Sequence, residues 1–328
     1  MLGLHTIHAE DAASPFTADG AQPVLVQALQ AGVALPSGCL AGGCGSCRAQ
    51  VLEGDYTLGD TPALTQAERD AGQVLLCRTF ARGDLRLRLL ENAPQPQHAA
   101  LIEDIGYPAD DVAVLRLRML GEPLAFRAGQ FVRLCLKDGT ARNYSIASAD
   151  DRQGSIELHV RHVPQGACSS RFFGEARIRP GMKIRLQGPL GGFTLRPGEG
   201  PRVFLATGTG YAPVRAMLLA LRREGAAPRT TFYWGGQRMR DLYAAEEATA
   251  LLRAIGGNFV PVLAAEARPG VRSGFLQDAV LRDHADLRAA QVYACGHPAM
   301  VEAAARALCT QAGLPLASFF ADAFLPNR

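Results

Sequence analysis

The sequence predicts a multidomain chain: a small α+β domain, then an antiparallel β-barrel, then a doubly wound α/β domain on a parallel sheet. Three observations predict it. Four cysteines in a graded spacing fall within the first ninety residues, and a proline-containing stretch without periodicity follows at 91–99. Near Gly200, short β-rich runs give way to strands alternating with helices. With 328 residues there is room for two or three domains of about 100–150 residues each. The boundaries read as 1–90, a linker at 91–99, then 100–198 and 199–328.

Composition narrows the class. At 48% hydrophobic and 20% charged, the chain is close to the globular average, and no apolar run approaches the roughly 18 residues of a membrane helix. No basic segment followed by an apolar one opens it. A cytoplasmic monomer without membrane or nucleic-acid partners is the expectation. The net charge of +3 is split: six arginines against nine carboxylates give residues 1–90 a net of −3, leaving +6 for the rest. In Leu85-Arg86-Leu87-Arg88 the arginines alternate with leucines, which describes a strand with one wet face rather than a nucleic-acid patch.

In the first domain, Cys39, Cys44 and Cys47 form C-x4-C-x2-C, and Cys77 follows after 29 residues. That is the plant-type spacing for a 2Fe-2S cluster. Gly38, Gly42, Gly43 and Gly45 suit it, because backbone N–H groups must turn toward the cluster sulfurs. Structural zinc is the alternative, but zinc sites usually arrive as two short knuckles, and only Cys44 and Cys47 make one. Cys135, Cys168, Cys295 and Cys309 stand alone and read as small core residues or local functional thiols. Around the ladder, a short helix is expected over 24–32, a strand and turn over 49–54, and a helix over 64–71 with Thr65 as N-cap and Glu68 three residues on.

Beyond the linker, β-rich runs at 111–120, 130–136, 144–147 and 156–163 are separated by Gly121, Asp138-Gly139 and Gly154. Arg142 and Tyr144, two apart on a strand, face one side, where a guanidinium can neutralise a phosphate and a phenol can pack on a planar ring. Gly166-Ala167-Cys168-Ser169-Ser170 puts hydroxyls at a helix start, suited either to a pyrophosphate or to simple capping. In the third domain, strands at 203–206, 230–234, 259–263 and 292–295 alternate with helical stretches, the first from Pro213 to Arg223. Between strand and helix, Thr207-Gly208-Thr209-Gly210-Tyr211-Ala212-Pro213 departs from G-x-G-x-x-G yet keeps its logic: glycines admit a pyrophosphate and Pro213 starts the helix. Cys295-Gly296-His297-Pro298 joins the last strand to a helix, where an open sheet gathers its ligands.

The first ninety residues resemble the plant-type ferredoxin domain, a β-grasp fold, which implies Cys39, Cys44, Cys47 and Cys77 as cluster ligands and one electron as the unit of traffic. Arg142-x-Tyr144-Ser145, Gly166-x-x-Ser169, Gly188-Pro189-x-Gly191, Gly208-Thr209-Gly210-x-Ala212-Pro213 and Cys295-Gly296-x-Pro298-x-Met300, in that order, resemble the ferredoxin-NADP reductase superfamily across residues 100–328. With the ferredoxin in front, the chain is similar to the one-component reductases that feed bacterial ring-hydroxylating oxygenases. Residues 158–163 and 321–324 extend the resemblance. Reductases acting on CDP-glucoseen intermediates share the three-domain layout, so a sugar dehydrase stays open as the electron acceptor, and a redox-sensing module is a third reading.

The resemblance implies FAD in the barrel and NADH on the doubly wound domain. A flavin is the needed converter, since it takes up a hydride's electron pair and releases electrons singly to a cluster. Arg142, Tyr144 and Ser145 are implied at the flavin and its phosphate, and Gly166, Cys168 and Ser169 at the pyrophosphate, with His159 and Arg161 also lining cofactor. Gly208, Thr209, Gly210 and Pro213 are implied at the nicotinamide nucleotide, and Cys295 and Gly296 at the hydride-transfer centre. Tyr144 and Asp322 are implied as catalytic with Cys295, and Phe324 as approaching the flavin. Gln237 stands where many relatives carry arginine, with Arg238 and Arg240 just beyond, which leaves NADPH open beside NADH.

Overall fold

The computed structural model describes residues 3–10, 14–33, 35–36, 42, 45, 47–59, 61, 64–90, 96–149, 154–174, 177–225 and 229–324. The chain divides into two compact units, Met1–Gln95 and Pro96–Arg328.

The first unit runs β1 (His5–Ala9), β2 (Phe16–Ala18), α1 (Val24–Gln30), β3 (Arg48–Glu53), β4 (Tyr56–Leu58), α2 (Gln66–Asp70), β5 (Gln73–Leu75), β6 (Thr79–Ala81) and β7 (Leu85–Leu89). Five strands make one sheet in the order β2-β1-β7-β3-β5, and β4 pairs with β6. Strands β1 and β7 are parallel neighbours; α1 buries Val24, Leu25 and Ala28 in the core that the sheet's inner residues share. The alternation in β7 works as expected. Leu85 and Leu87 are buried, while Arg86 and Arg88 each meet Glu10 at 2.9 Å on the wet face. Helix α2 is only five residues, too short to persist alone, and a reciprocal capping box fixes its start: the Glu68 N–H donates to the Thr65 hydroxyl and the Thr65 N–H to the Glu68 carboxylate.

The second unit opens with β8 (Gln97–Ala109), β9 (Val112–Met119), β10 (Phe131–Cys135), β11 (Ala141–Ser145), β12 (Ser155–Arg161) and β13 (Lys183–Leu190). They form an antiparallel sheet ordered β11-β10-β13-β8-β9-β12, and an Ile146–Leu158 bridge joins its two ends into a barrel. Strand β8 begins inside the stretch expected as linker. Gln97 and His98 pair with Gln187 and Leu186 of β13, so tertiary pairing extends the strand past the local signal; residues 91–95 lie outside the described residues.

Then follow β14 (Arg202–Thr207), α3 (Tyr211–Glu224), β15 (Thr230–Gly236), α4 (Ala245–Ala254), β16 (Asn258–Leu263), β17 (Arg272–Ser273), α5 (Leu276–Asp283), β18 (Gln291–Gly296), α6 (Pro298–Gln311) and β19 (Phe319–Ala323). The sheet is parallel throughout, ordered β17-β16-β15-β14-β18-β19. Val203, Phe204, Leu205 and Ala206 of β14 are all fully buried, as a central strand covered on both faces requires. Helix α3 starts two residues earlier than expected, with Pro213 inside its first turn rather than at its head. The N–H that proline lacks has no intrahelical partner there in any case.

Candidate nucleotide and flavin site

Strand order reverses direction between β14 and β18, so the connections leaving their C-terminal ends diverge and open a crevice. From β14 the chain passes through a tight turn, Gly208–Gly210, into α3; from β18 it passes through Gly296 and His297 into α6. The two turns touch backbone to backbone. A Cβ on Gly210 would stand 2.3 Å from the Cys295 carbonyl oxygen, and one on Gly296, whose φ is +128°, would stand 2.3 Å from Thr207 Oγ1. The His297 N–H donates to that same Thr207 hydroxyl at 2.9 Å, and the Phe324 N–H donates to the Gly296 carbonyl at 2.8 Å. Only glycine permits this approach.

Helix α3 suits a pyrophosphate. It is 14 residues long, with no carboxylate in its first turn and, among the described residues, no side-chain cap on its N–H groups. Beneath the turn, the Trp234 indole donates to the Gly208 carbonyl at 3.2 Å and stacks on Tyr211 at 4.4 Å. Above it, Arg161 reaches over from the barrel: a Cβ on Gly208 would lie 2.6 Å from Arg161 Nη1, while Arg161 Nη2 pairs with Asp111 at 2.8 Å.

Cys295 and Asp322 are register partners on β18 and β19. Cys295 is fully buried, and burial, then the charge of Asp322, pushes its thiol well above the ordinary cysteine value; Asp322 is 6% exposed. The His297 ring, rather than reaching into the crevice, accepts the Ala299 N–H and caps α6.

On the barrel, Arg142, Tyr144 and Cys168 come together. Burial, then Cys168, raises the Tyr144 phenol far above its usual value, while the Arg142 charge opposes the shift. Burial raises the Cys168 thiol as well, against the hydrogen bond from Tyr144. Arg142 donates to its neighbour's Ala141 carbonyl at 2.8 Å and pairs with no carboxylate among the described residues, so its charge suits a phosphate. Ser145 is buried at the strand's end. In the following loop, a Cβ on Gly166 would stand 2.6 Å from Ser169 Oγ, and that hydroxyl accepts the Val163 N–H at 3.1 Å. Ser169 therefore closes its own loop, on a short 3-10 turn, Ser169–Phe172, in place of the expected helix.

His159 lies elsewhere. Buried at 5% exposure, it meets Tyr243 OH through Nδ1 at 2.7 Å and Glu157 through Nε2 at 3.0 Å. Glu157 in turn meets Arg215 at 3.1 Å, and Arg215 meets Glu247 at 2.7 Å. Burial alone would lower the Arg215 pKa, but Glu247 and Glu157 hold it above the usual value. Glu157, Arg215, Tyr243 and Glu247 escaped sequence reasoning. The available signal was Arg215 itself, a charge within the apolar run Ala212–Leu218.

In the first unit, Cys47 and Cys77 are each 2% exposed, and the Leu76 N–H donates to the Cys47 carbonyl at 3.0 Å, tying the two cysteine segments together. Gly42 and Gly45 adopt φ of +75° and +73°. Cys39, Cys44, Gly38 and Gly43 lie outside the described residues. Buried thiols beside left-handed glycines fit a thiolate-held cluster.

Comparisons with known proteins agree along the chain. The 2Fe-2S iron-sulfur cluster binding domain family matches residues 8–82, the oxidoreductase FAD-binding domain family 102–195 and the oxidoreductase NAD-binding domain family 204–306. A CDP-6-deoxy-L-threo-D-glycero-4-hexulose-3-dehydrase reductase of Yersinia pseudotuberculosis is 33% identical over 95% of this chain and 96% of its own. Reductase component 2 of a Comamonas terephthalate 1,2-dioxygenase is 31% identical over 98% and 97%. Among solved structures, an Amycolatopsis cytochrome P450 reductase superposes with a TM-score of 0.70 at 30% identity, over 98% of this chain and 99% of that one. The chain belongs to the iron–sulfur flavoprotein reductases that fuse a plant-type 2Fe-2S ferredoxin domain to a ferredoxin-NADP reductase-like FAD and NAD module, and it carries electrons from NADH through FAD to the cluster.

Proposed function

We propose that this reductase serves a separate terminal oxygenase that hydroxylates aromatic rings, acting as a cytoplasmic monomer. The observation that carries the site reading is the meeting of the Gly208–Gly210 and Cys295–Gly296 turns beneath Arg161. A nicotinamide bound there would be placed to give a hydride to a flavin held on the barrel, which would supply the two-to-one electron conversion that a 2Fe-2S cluster needs. The residues prepare that transfer. Gly208, Thr209, Gly210 and the α3 N-terminus, Pro213 included, receive the nucleotide's pyrophosphate, and Arg161 adds a positive charge above it. Arg142 neutralises the flavin phosphate, Tyr144 and Ser145 pack and hydrogen-bond its ring and chain, and the Gly166–Ser169 loop with Cys168 backs them. Cys295, Gly296, Asp322 and Phe324 close the crevice around the reacting carbon and keep water out. Cys39, Cys44, Cys47 and Cys77 hold the cluster. The domains follow the boundaries 1–90, 97–198 and 199–328, with β8 drawing Gln97 and His98 out of the stretch expected as linker.

A second reading rests on the Yersinia relative, whose 33% identity spans nearly the whole chain: a sugar dehydrase as electron acceptor. Anaerobic reconstitution with NADH separates the two. The expected result is rapid reduction of a purified ring-hydroxylating oxygenase with little reduction of a CDP-sugar dehydrase; the reverse ranking assigns the dehydrase instead. The net −3 of residues 1–90 adds a salt test: transfer to the true acceptor slows as salt rises, since screening acts within about 8 Å at physiological ionic strength. A flat salt profile refutes electrostatic docking.

A further inference from the structure

We propose that Arg215 is a positioning residue for hydride transfer: one guanidinium that bolts the nucleotide-binding helix to the flavin-binding strand. The proposal rests on assigning β11 to FAD and the Gly208–Gly210 turn to the nucleotide. Arg215 sits five residues beyond Gly210, in the second turn of α3, with its side chain 16% exposed. Its Nη1 donates to the Ala147 carbonyl at 2.9 Å and lies 3.1 Å from Glu157 Oε1. Ala147 is two residues past Ser145, on the chain leaving β11, and its own N–H donates to the Glu157 carbonyl at 2.8 Å. The guanidinium therefore grips the end of the strand that carries Arg142, Tyr144 and Ser145.

Its other edge holds the nucleotide-binding domain to itself. Nε and Nη2 reach Glu247 Oε1 of α4 at 2.9 and 2.7 Å, and Tyr211 donates to the second oxygen of that carboxylate at 3.0 Å. Tyr211 is the first residue of α3 and stacks on Trp234, which donates to Gly208. His159 adds a second strut from the barrel, through Tyr243. A planar fork with five donors can satisfy a carbonyl and two carboxylates on opposite sides; an ammonium cannot span them. Two cofactor-bearing elements from different domains thus meet at one charge, and hydride transfer, which needs reacting atoms about 3–3.5 Å apart, is the step most sensitive to that alignment.

The test is Arg215→Lys in the full-length holoprotein, with Glu247→Gln as a milder second variant should the first fold poorly. Anaerobic stopped flow gives the NADH dissociation constant and the limiting rate of flavin reduction separately. NADH deuterated at the transferred position gives the isotope effect and its temperature dependence, and the long-wavelength charge-transfer absorbance reports nucleotide–flavin stacking. For Arg215→Lys we expect full FAD content, NADH affinity within about 3-fold, a limiting rate down by roughly 100-fold, a weakened charge-transfer band and a steeper temperature dependence of the isotope effect. Glu247→Gln should shift the same readouts several-fold. Unchanged rate, band and isotope effect, with only a lower melting temperature, would make Arg215 a structural tie and overturn the proposal. Arg142→Ala tests the underlying assignment: full FAD retention there refutes the flavin reading, whereas FAD loss there beside normal hydride transfer in both seam variants refutes the positioning role alone.

Discussion

Gly210→Ala separates a steric requirement from a conformational one. Gly210 has φ −57° and ψ −14°, which alanine adopts without strain, so the whole penalty is contact. The added methyl would stand 2.3 Å from the Cys295 oxygen, 2.7 Å from its carbonyl carbon and 3.1 Å from the Gly296 nitrogen. Ordinary contact begins near 3.5 Å, so the two turns must part by about 1 Å. Every clashing atom is backbone, and overpacking of this kind costs roughly 1–3 kcal/mol, the upper end applying where no side chain can swing away. At about 1.4 kcal/mol per tenfold, a loss near 3 kcal/mol is about 100-fold in the fraction of molecules with an aligned crevice. Trp234 is the chain's single tryptophan and lies beneath this turn, so its fluorescence in urea follows the affected domain. The urea midpoint and the rate of flavin reduction by NADH should both fall. Gly225→Ala is the control. It caps α3 at φ +70° with no atom among the described residues within 4 Å of the added methyl, so it should cost about 1 kcal/mol of stability and leave flavin reduction unchanged. Equal midpoints and reduction rates for Gly210→Ala and the parent would refute the close-approach argument.

Three further outcomes are expected. Cys47→Ser should abolish the visible absorbance of the cluster yet leave NADH reduction of FAD intact in anaerobic stopped flow; loss of flavin reduction with FAD bound refutes a modular path. Cys295, fully buried with its thiol raised by burial and by Asp322, should resist iodoacetamide at pH 8 until the protein is unfolded, while partly exposed Cys135 and Cys309 react first, as peptide mapping would read. Burial would raise the Glu157 carboxyl, but His159 and the charges of Arg215 and Arg116 hold it below 4.5. A depressed carboxylate stabilises the fold above its unfolded value and loses that contribution as pH falls through the folded one, so the urea midpoint should drop below about pH 4.5, and Glu157→Gln should flatten that part of the profile.

What was legible in the sequence is what a cofactor or a local hydrogen bond demands at fixed spacing. The cysteine ladder, the glycine turn after β14 and the Thr65–Glu68 capping box each depend on residues close in sequence or on a spacing set by the ligand. The start of β8 was not legible, because Gln97 and His98 become strand only by pairing with residues about ninety positions away. The Gly166–Ser170 loop suits either a pyrophosphate or simple capping, and the Ser169 oxygen accepts the Val163 N–H within its own loop, where Gly166 permits the close approach. The resemblance implies His159 beside a cofactor, while its ring meets Tyr243, a contact 84 residues distant that no periodicity encodes.

The crevice is held by two kinds of grip that respond to different conditions. Beneath the nucleotide turn, Gly210 and Gly296 set backbone against backbone, a contact made of repulsion and dispersion that salt and pH leave alone. Beside it, Arg215 between Glu157 and Glu247 is electrostatic, and it weakens when the Glu157 carboxylate takes up a proton. The steric grip fixes β14 against β18 within one domain; the ionic grip fixes that domain against the barrel. Their separation makes a sharp consequence. Acidification below about pH 4.5, through the depressed Glu157 carboxyl, should slow hydride transfer before it unfolds the nucleotide-binding sheet, since the seam loses charge while the glycine contact keeps its geometry. Trp234 fluorescence and stopped-flow flavin reduction, followed on the same samples across pH, would show the two transitions apart; coincident transitions would mean that one cooperative contact governs both.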